Sequence, residues 1–158
     1  KISSIGRLDR SKCTEYSRLI LAMSAMGYDI TSVGYVSERE NKYDFIDELS
    51  KSYAYSHKQG INGPIWEIIA LNTGTAQTGK YYLYSKPSGG DPKDYNTTGK
   101  MIDYILNDEI IQSNGTRGGW ALYNNYPDVD ITGMALQALA PYYNNKDLYD
   151  ETGAEKNL

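Results

Sequence analysis

Three stretches of the chain are apolar on almost every side. YSRLILAMSAM (16–26), PIWEIIAL (64–71) and ITGMALQALA (131–140) carry few polar interruptions. A helix that is apolar all round has to be buried all round, so each stretch predicts an inner helix. Two others divide into faces. YDFIDELSKSY (43–53) sets Ile46, Leu49 and Tyr53 against Asp47, Glu48 and Lys51, and KMIDYILNDEII (100–111) sets Met101, Ile102, Ile105 and Leu106 against Asp103, Asn107 and Asp108. These predict half-buried outer helices. Inner and outer helices alternate along the chain, which predicts an all-α fold of two layers: a partial α/α toroid, or a superhelix of helical hairpins.

The inner stretches also align with one another. EYSRLILAMSAMGYD lies over DITGMALQALAPYYN without a gap, pairing Glu15 with Asp130, Ser17 with Thr132, Leu21 with Leu136 and Ala25 with Ala140. NGPIWEIIALNTG fits the first copy with Asn62 under Glu15 and Gly74 under Gly27. This is a degenerate internal repeat. Helix signals agree with it: Pro64 suits a first turn, Thr14 and Thr97 or Thr98 can cap, and Gly27 and Gly74 stand where helices stop.

One stretch breaks the pattern. NTGTAQTGKYYLYSKPSGGDPKDYNTTG (72–99) is too polar and too rich in Gly and Pro to continue a helix, and KYYLY within it reads as a short strand or hairpin arm. At 158 residues the chain fits a single domain, 1–158, with 72–99 as an irregular insertion. The opening KISSIGRLDR has neither a starting Met nor an apolar signal core, so the chain reads as a piece of a longer protein.

Composition removes several classes of function. The formal charge is −4 and no Lys/Arg cluster exceeds two residues, so the basic surface that nucleic acid demands is missing. No apolar run approaches the ~20 residues of a membrane span. Cys13 is a lone cysteine, which excludes an internal disulfide, and His57 has no second histidine to share a zinc ion; its polar flanks predict a solvated ring. Neither a metal nor another cofactor is expected. Sixteen Tyr against one Phe and two Trp fit surfaces with an apolar ring and a polar tip, suited to sugars, peptides or polar ligands, and equally a Tyr-rich surface set by compositional bias, so the count decides nothing alone.

The outer helix, a turn ending in Gly-Gly-Trp (YILNDEIIQSNGTRGGWAL), and the acidic entrance to an inner helix (PDVDITGMALQALAPYY) together resemble the repeat of the terpenoid cyclase and protein prenyltransferase superfamily. With EYSRLILAMSAMGYD and QGINGPIWEIIALNTG, the chain is similar to the prenyltransferase-like domains of bacterial secreted and cell-surface proteins, over roughly residues 14–145. The resemblance implies an α/α toroid and an extracellular or cell-surface location. The departures bear on activity. Glu109 stands where the cyclase repeat carries Gln, and QSNGTR lengthens the turn before Trp120. Asp128-Val129-Asp130-Ile131 supplies two acids of a cyclase DxDD sequence and puts Ile131 in place of the last. Cys13 falls outside the repeats and His57 in a connector, so the Asp, Cys and His that hold zinc in the transferases are not assembled. The pattern marks about five or six helices, half a ring or an open arc.

Residues at the mouths of the inner helices are the candidate site. Glu15, Asn62 and Asp130 take equivalent places, and an acid or amide there caps exposed N–H groups at the positive end of the helix dipole. Capping explains Asp128 and Asp130 without chemistry. If the inner helices run parallel, these ends share a rim with Tyr16, Trp66 and Trp120, a plausible mouth for a ligand. Trp120 and Trp66 are also read as packing rings, and Glu67, a charge in an otherwise apolar helix, needs a partner, a wet cavity or an exposed edge. No Gly-x-Ser-x-Gly elbow or phosphate-cradling loop is present, so no catalytic set is assigned.

The expectation is thus a non-catalytic toroid module binding a small molecule, glycan or peptide at the inner-helix rim. One rival is an isoprenoid cyclase or transferase fragment with Asp128 or Asp130 as its acid. Another is a structural or assembly module, joined to the rest of a parent chain or to a second copy. The superfamily also includes corrinoid carriers, although no residue here marks that ligand.

Overall fold

In a computed structural model of the chain, residues 11–36, 41–51, 53–74, 79, 82 and 91–158 are described. The fold they form is mostly helical. In chain order come α1 (Glu15–Ala25), strands β1 (Val33–Val36) and β2 (Asn41–Tyr43), α2 (Phe45–Ser50), α3 (Tyr53–Ser56), α4 (Asn62–Asn72), a 3-10 turn (Pro92–Asp94), α5 (Thr98–Asn107), α6 (Val129–Tyr143) and α7 (Lys146–Thr152). The two strands pair antiparallel, Val33 opposite Tyr43 and Val36 opposite Asn41. This small pair, α3 and α7 are additions to the helices read from sequence, and the outer helix expected over 43–53 spans only Phe45–Ser50, with Tyr43 in β2. The KYYLY arm lies largely outside the described residues.

The centre of the molecule is α4. It packs against α1, α3, α5 and α6, and Gly63, Pro64, Ile65, Glu67, Ile68, Ala70 and Leu71 are all buried. Each buried Ile or Leu contributes about 1.5–3 kcal/mol of transfer free energy. The two flanking inner helices depart from expectation. In α1 only Tyr16, Ser17 and Ile20 are buried, and in α6 Ile131, Ala135, Ala138, Leu139 and Tyr142 are buried while Leu136 is 56 % exposed. Apolar composition brought all three segments into helices, but the middle one packs against four others, whereas α1 packs against α2 and α4, and α6 against α4 and α7.

Contacts between helix ends set their relative direction. A Cβ added to Gly63, at the start of α4, would meet Cys13 Sγ at 3.0 Å beside the start of α1. At the opposite ends Ser24 Oγ and Thr73 Oγ1 are 3.1 Å apart. Asn72 Nδ2 then donates to Ala138 O at 3.1 Å, and Tyr142 OH donates to Asn72 Oδ1 at 3.0 Å. The C-terminal ends of α1, α4 and α6 therefore lie on one side of the molecule.

The outer elements close around this row. Asp44 caps α2 through Ile46 N and Asp47 N, and Thr97 caps α5 through Lys100 N. Thr14 makes no side-chain cap bond. The C-terminal tail folds back over α5, where a Cβ on Gly99 would collide with Thr152 O at 2.5 Å and Ala154 N at 2.7 Å. The Asp103 carboxylate holds the tail there, accepting from Glu155 N at 2.9 and 3.0 Å and from Lys156 N at 2.8 Å.

Candidate functional site

The starts of α1 and α4 lie side by side, and the eight candidate residues are taken up in different ways. Asp128 is the N-cap of α6: its Oδ1 accepts from Ile131 N at 2.9 Å, and the carboxylate is spent on the helix. Asp130, paired in the repeat with Glu15 and Asn62, is exposed in the first turn and is not the cap. Glu15 and Asn62 are half-buried first residues of α1 and α4, and the N-cap positions before them make no side-chain cap bond. Tyr16 is buried edge-on against Phe45 and Tyr55, with ring centroids 6.1 and 6.4 Å away. Trp66 is half-buried beneath the Arg18 guanidinium, 5.3 Å from its ring centre.

Glu67 is fully enclosed. Asn96 Nδ2 donates to its Oε2 at 2.6 Å, whereas Oε1 has no partner among the described residues. Burial pushes its carboxyl up to about 8, opposed by the dipoles of Ser56 and Asn96; Ser56 Oγ stands close by but outside hydrogen-bond geometry. At neutral pH the group keeps its proton. A neutral acid inside the packed centre is a structural element, and Glu67 offers no charge to an outside ligand. His57 differs from expectation too: its ring stacks on Tyr53 at 3.8 Å, meets Tyr104 edge-on at 4.4 Å, and burial holds its pKa low.

Trp120 joins an outer helix to an inner one. Its Nε1 donates to Ile105 O of α5 at 2.6 Å, its N–H donates to Thr132 Oγ1 of α6 at 2.9 Å, and the ring is 6 % exposed. The glycines before it are required by backbone shape. Gly119 has φ +82°, and a Cβ there would strike Pro127 at 2.5 Å. Asp128 N then donates to Trp120 O at 2.8 Å, so the loop 121–127 is pinned where it leaves and where it returns.

Those pins flank an open cleft. The insertion after α5 folds as a tight hairpin: Ile110 N donates to Gly119 O at 3.0 Å, Gly118 N to Ile110 O at 3.1 Å and Gln112 N to Thr116 O at 2.8 Å. Residues 107–113 form one wall and residues 121–126 the other, around a volume of about 960 Å³. Tyr123 is 93 % exposed and Tyr126 79 %. Asp108, Glu109, Gln112, Asn124 and Asn125 line the same space, and partial burial raises the Asp108 carboxyl above its ordinary range. Glu109 and Trp120 border a second, more apolar cavity of about 460 Å³ with Leu106, Leu136, Leu139 and Leu158. Of the candidates from the sequence, Trp120 borders this second cavity, and none lines the first.

Sequence reasoning missed this cleft. Its signal was the run ALYNNYP, two Tyr interleaved with Asn directly after Gly-Gly-Trp. Among the described residues no group of three or more His, Cys, Asp or Glu is placed to hold a metal ion, and no helix is long and apolar enough to cross a membrane. Comparison with protein-family models, curated proteins and solved structures finds no match for this chain.

Proposed function

We propose that this chain is a non-catalytic binding module built as a partial α/α toroid of an extracellular or cell-surface protein, with its ligand site in the cleft between residues 107–113 and 121–126. The toroid reading is supported by the shared direction of α1, α4 and α6 and by the repeat that relates them. The binding reading rests on one observation: two nearly bare tyrosine rings stand beside carboxylates and amides on a loop pinned at both ends. Water-exposed aromatic rings gain by covering their faces with a ligand.

The cyclase alternative loses ground on the same geometry. A carboxyl that protonates a hydrocarbon needs an enclosed apolar setting that keeps its proton in place, whereas Asp128 and Asp130 are exposed and Asp128 caps a helix. A structural role retains one specific support, the open stripe Val129, Gly133, Leu136, Ala140 and Tyr143 along α6. Amide-resolved NMR titration of the purified chain with panels of oligosaccharides, short peptides and small polar molecules separates the readings. Shifts confined to the cleft and lost with Tyr123→Ala plus Tyr126→Ala support binding. No shifts from any panel, with concentration-dependent dimerisation abolished by Leu136→Glu, favour assembly.

A further inference from the structure

Resting on that reading of the cleft, we infer that its ligand is a neutral oligosaccharide. The argument begins with the two tyrosines. A sugar ring presents a flat face of C–H groups edged with hydroxyls, and an exposed phenol ring matches it with an apolar face and a polar rim. Tyr123 and Tyr126 offer two such surfaces on one short loop, both left to solvent.

The polar lining fits the hydroxyls. Carboxylates only accept, and side-chain amides both donate and accept, so Asp108 and Glu109 with Gln112 and Asn125 can serve vicinal hydroxyl pairs, each of which donates and accepts in turn. Asn124 holds the loop, its Oδ1 accepting from Tyr126 N at 3.1 Å, which orders the backbone beneath the second ring before a ligand arrives. Preorganisation of this kind lowers the ordering cost of binding.

Charge narrows the class. Neither Lys nor Arg lines the cleft, two acids do, and the whole chain is at −4. Phosphorylated, sulfated or uronic sugars would be repelled there. Peptides would need an open strand edge or an apolar groove for their side chains, but the nearby hairpin pairs its own backbone through Ile111 and Arg117. The open shape admits several linked rings in place of one enclosed monosaccharide.

The test titrates the chain with four probes: neutral hexasaccharides of glucose, xylose and N-acetylglucosamine; a hexauronate; a tyrosine-free hexapeptide; and buffer alone. Amide shifts and isothermal heats are read for the native chain and for Tyr123→Ala, Tyr126→Ala and Asp130→Ala. A neutral hexasaccharide is expected to shift amides of residues 107–113 and 121–126. Each tyrosine variant should weaken binding at least tenfold with its melting point unchanged, and Asp130→Ala should bind as the native chain does. Stronger binding of the hexauronate, or binding of the hexapeptide alone, would overturn the sugar class and leave the binding-module reading standing. Silence from every probe at millimolar concentration would overturn both.

Discussion

Helices α4 and α6 occupy equivalent places in the repeat and come to opposite ends. Ile68 of α4 and Leu136 of α6 are matched positions, yet Ile68 is fully buried and Leu136 is 56 % exposed. Glu67 and Ala135 are matched as well, and both are fully enclosed. The helix with the more perfect enclosure is the one that holds an ionisable group. What separates the two is their neighbours: α4 is packed between α1 and α6, whereas α6, packed against α4 and α7, leaves Leu136, Ala140 and Tyr143 exposed. Local pattern selects the helix, and the surroundings decide which of its faces are dry.

The sharpest way to break the comparison is to truncate the matched pair. Ile68→Ala should lower the unfolding free energy by about 2–5 kcal/mol, because a cavity remains where α1, α5 and α6 cannot follow. Leu136→Ala should cost less than about 1 kcal/mol, as for an exposed position. Urea midpoints measure both; equal losses would mean that α6 is covered in solution.

Glu67 gives the next largest effect, and it depends on pH. Its folded carboxyl holds its proton up to about 8, above the ordinary value of 4.5. Its stabilising contribution is therefore complete below the ordinary carboxyl range and declines as pH rises to about 8, by about 1.4 kcal/mol per pH unit. Glu67→Gln should remove that slope, so the native and variant stability profiles converge in acid and separate toward pH 8. Parallel profiles would show that the group titrates alike in the folded and unfolded chain.

The helix starts provide a smaller contrast. Asp128→Ala takes the cap from α6 and should cost about 1 kcal/mol, whereas Asp130→Ala should stay within about 0.5 kcal/mol. Thermal melts of the two variants decide which aspartate serves the helix. The smallest effect is expected at the loop, where Tyr123→Ala and Tyr126→Ala should leave the melting point unchanged, since neither ring packs against the core.

The helices were legible because apolar spacing is local: α1, α4 and α6 fall where the pattern placed them, and α5 does so as far as Asn107, short of the expected Ile111. The beginning of α7 was not, since KDLYDET buries only Leu148 and Thr152 and reads as polar. Nor was the strand pair, whose few residues carry too little alternation to register. The cap was legible in part: PDVD marked the start of α6, but choosing Asp128 over Asp130 required the bond to Ile131 N. The cleft was hidden for a plainer reason. Tyr16 and Tyr142 are core residues while Tyr123 and Tyr126 are bare, and the same side chain fits either place.

The tail clamp on α5 has a kinetic consequence. The amides of Glu155 and Lys156 are tied to a single carboxylate on the protein surface, so they can exchange their hydrogens whenever the tail lifts, without the core opening. Amides deep in α4 can exchange only through larger openings. Deuterium uptake would then separate into two rates in one molecule, a fast one timing the tail and a slow one timing the fold. Asp103→Asn would accelerate the first and leave the second in place.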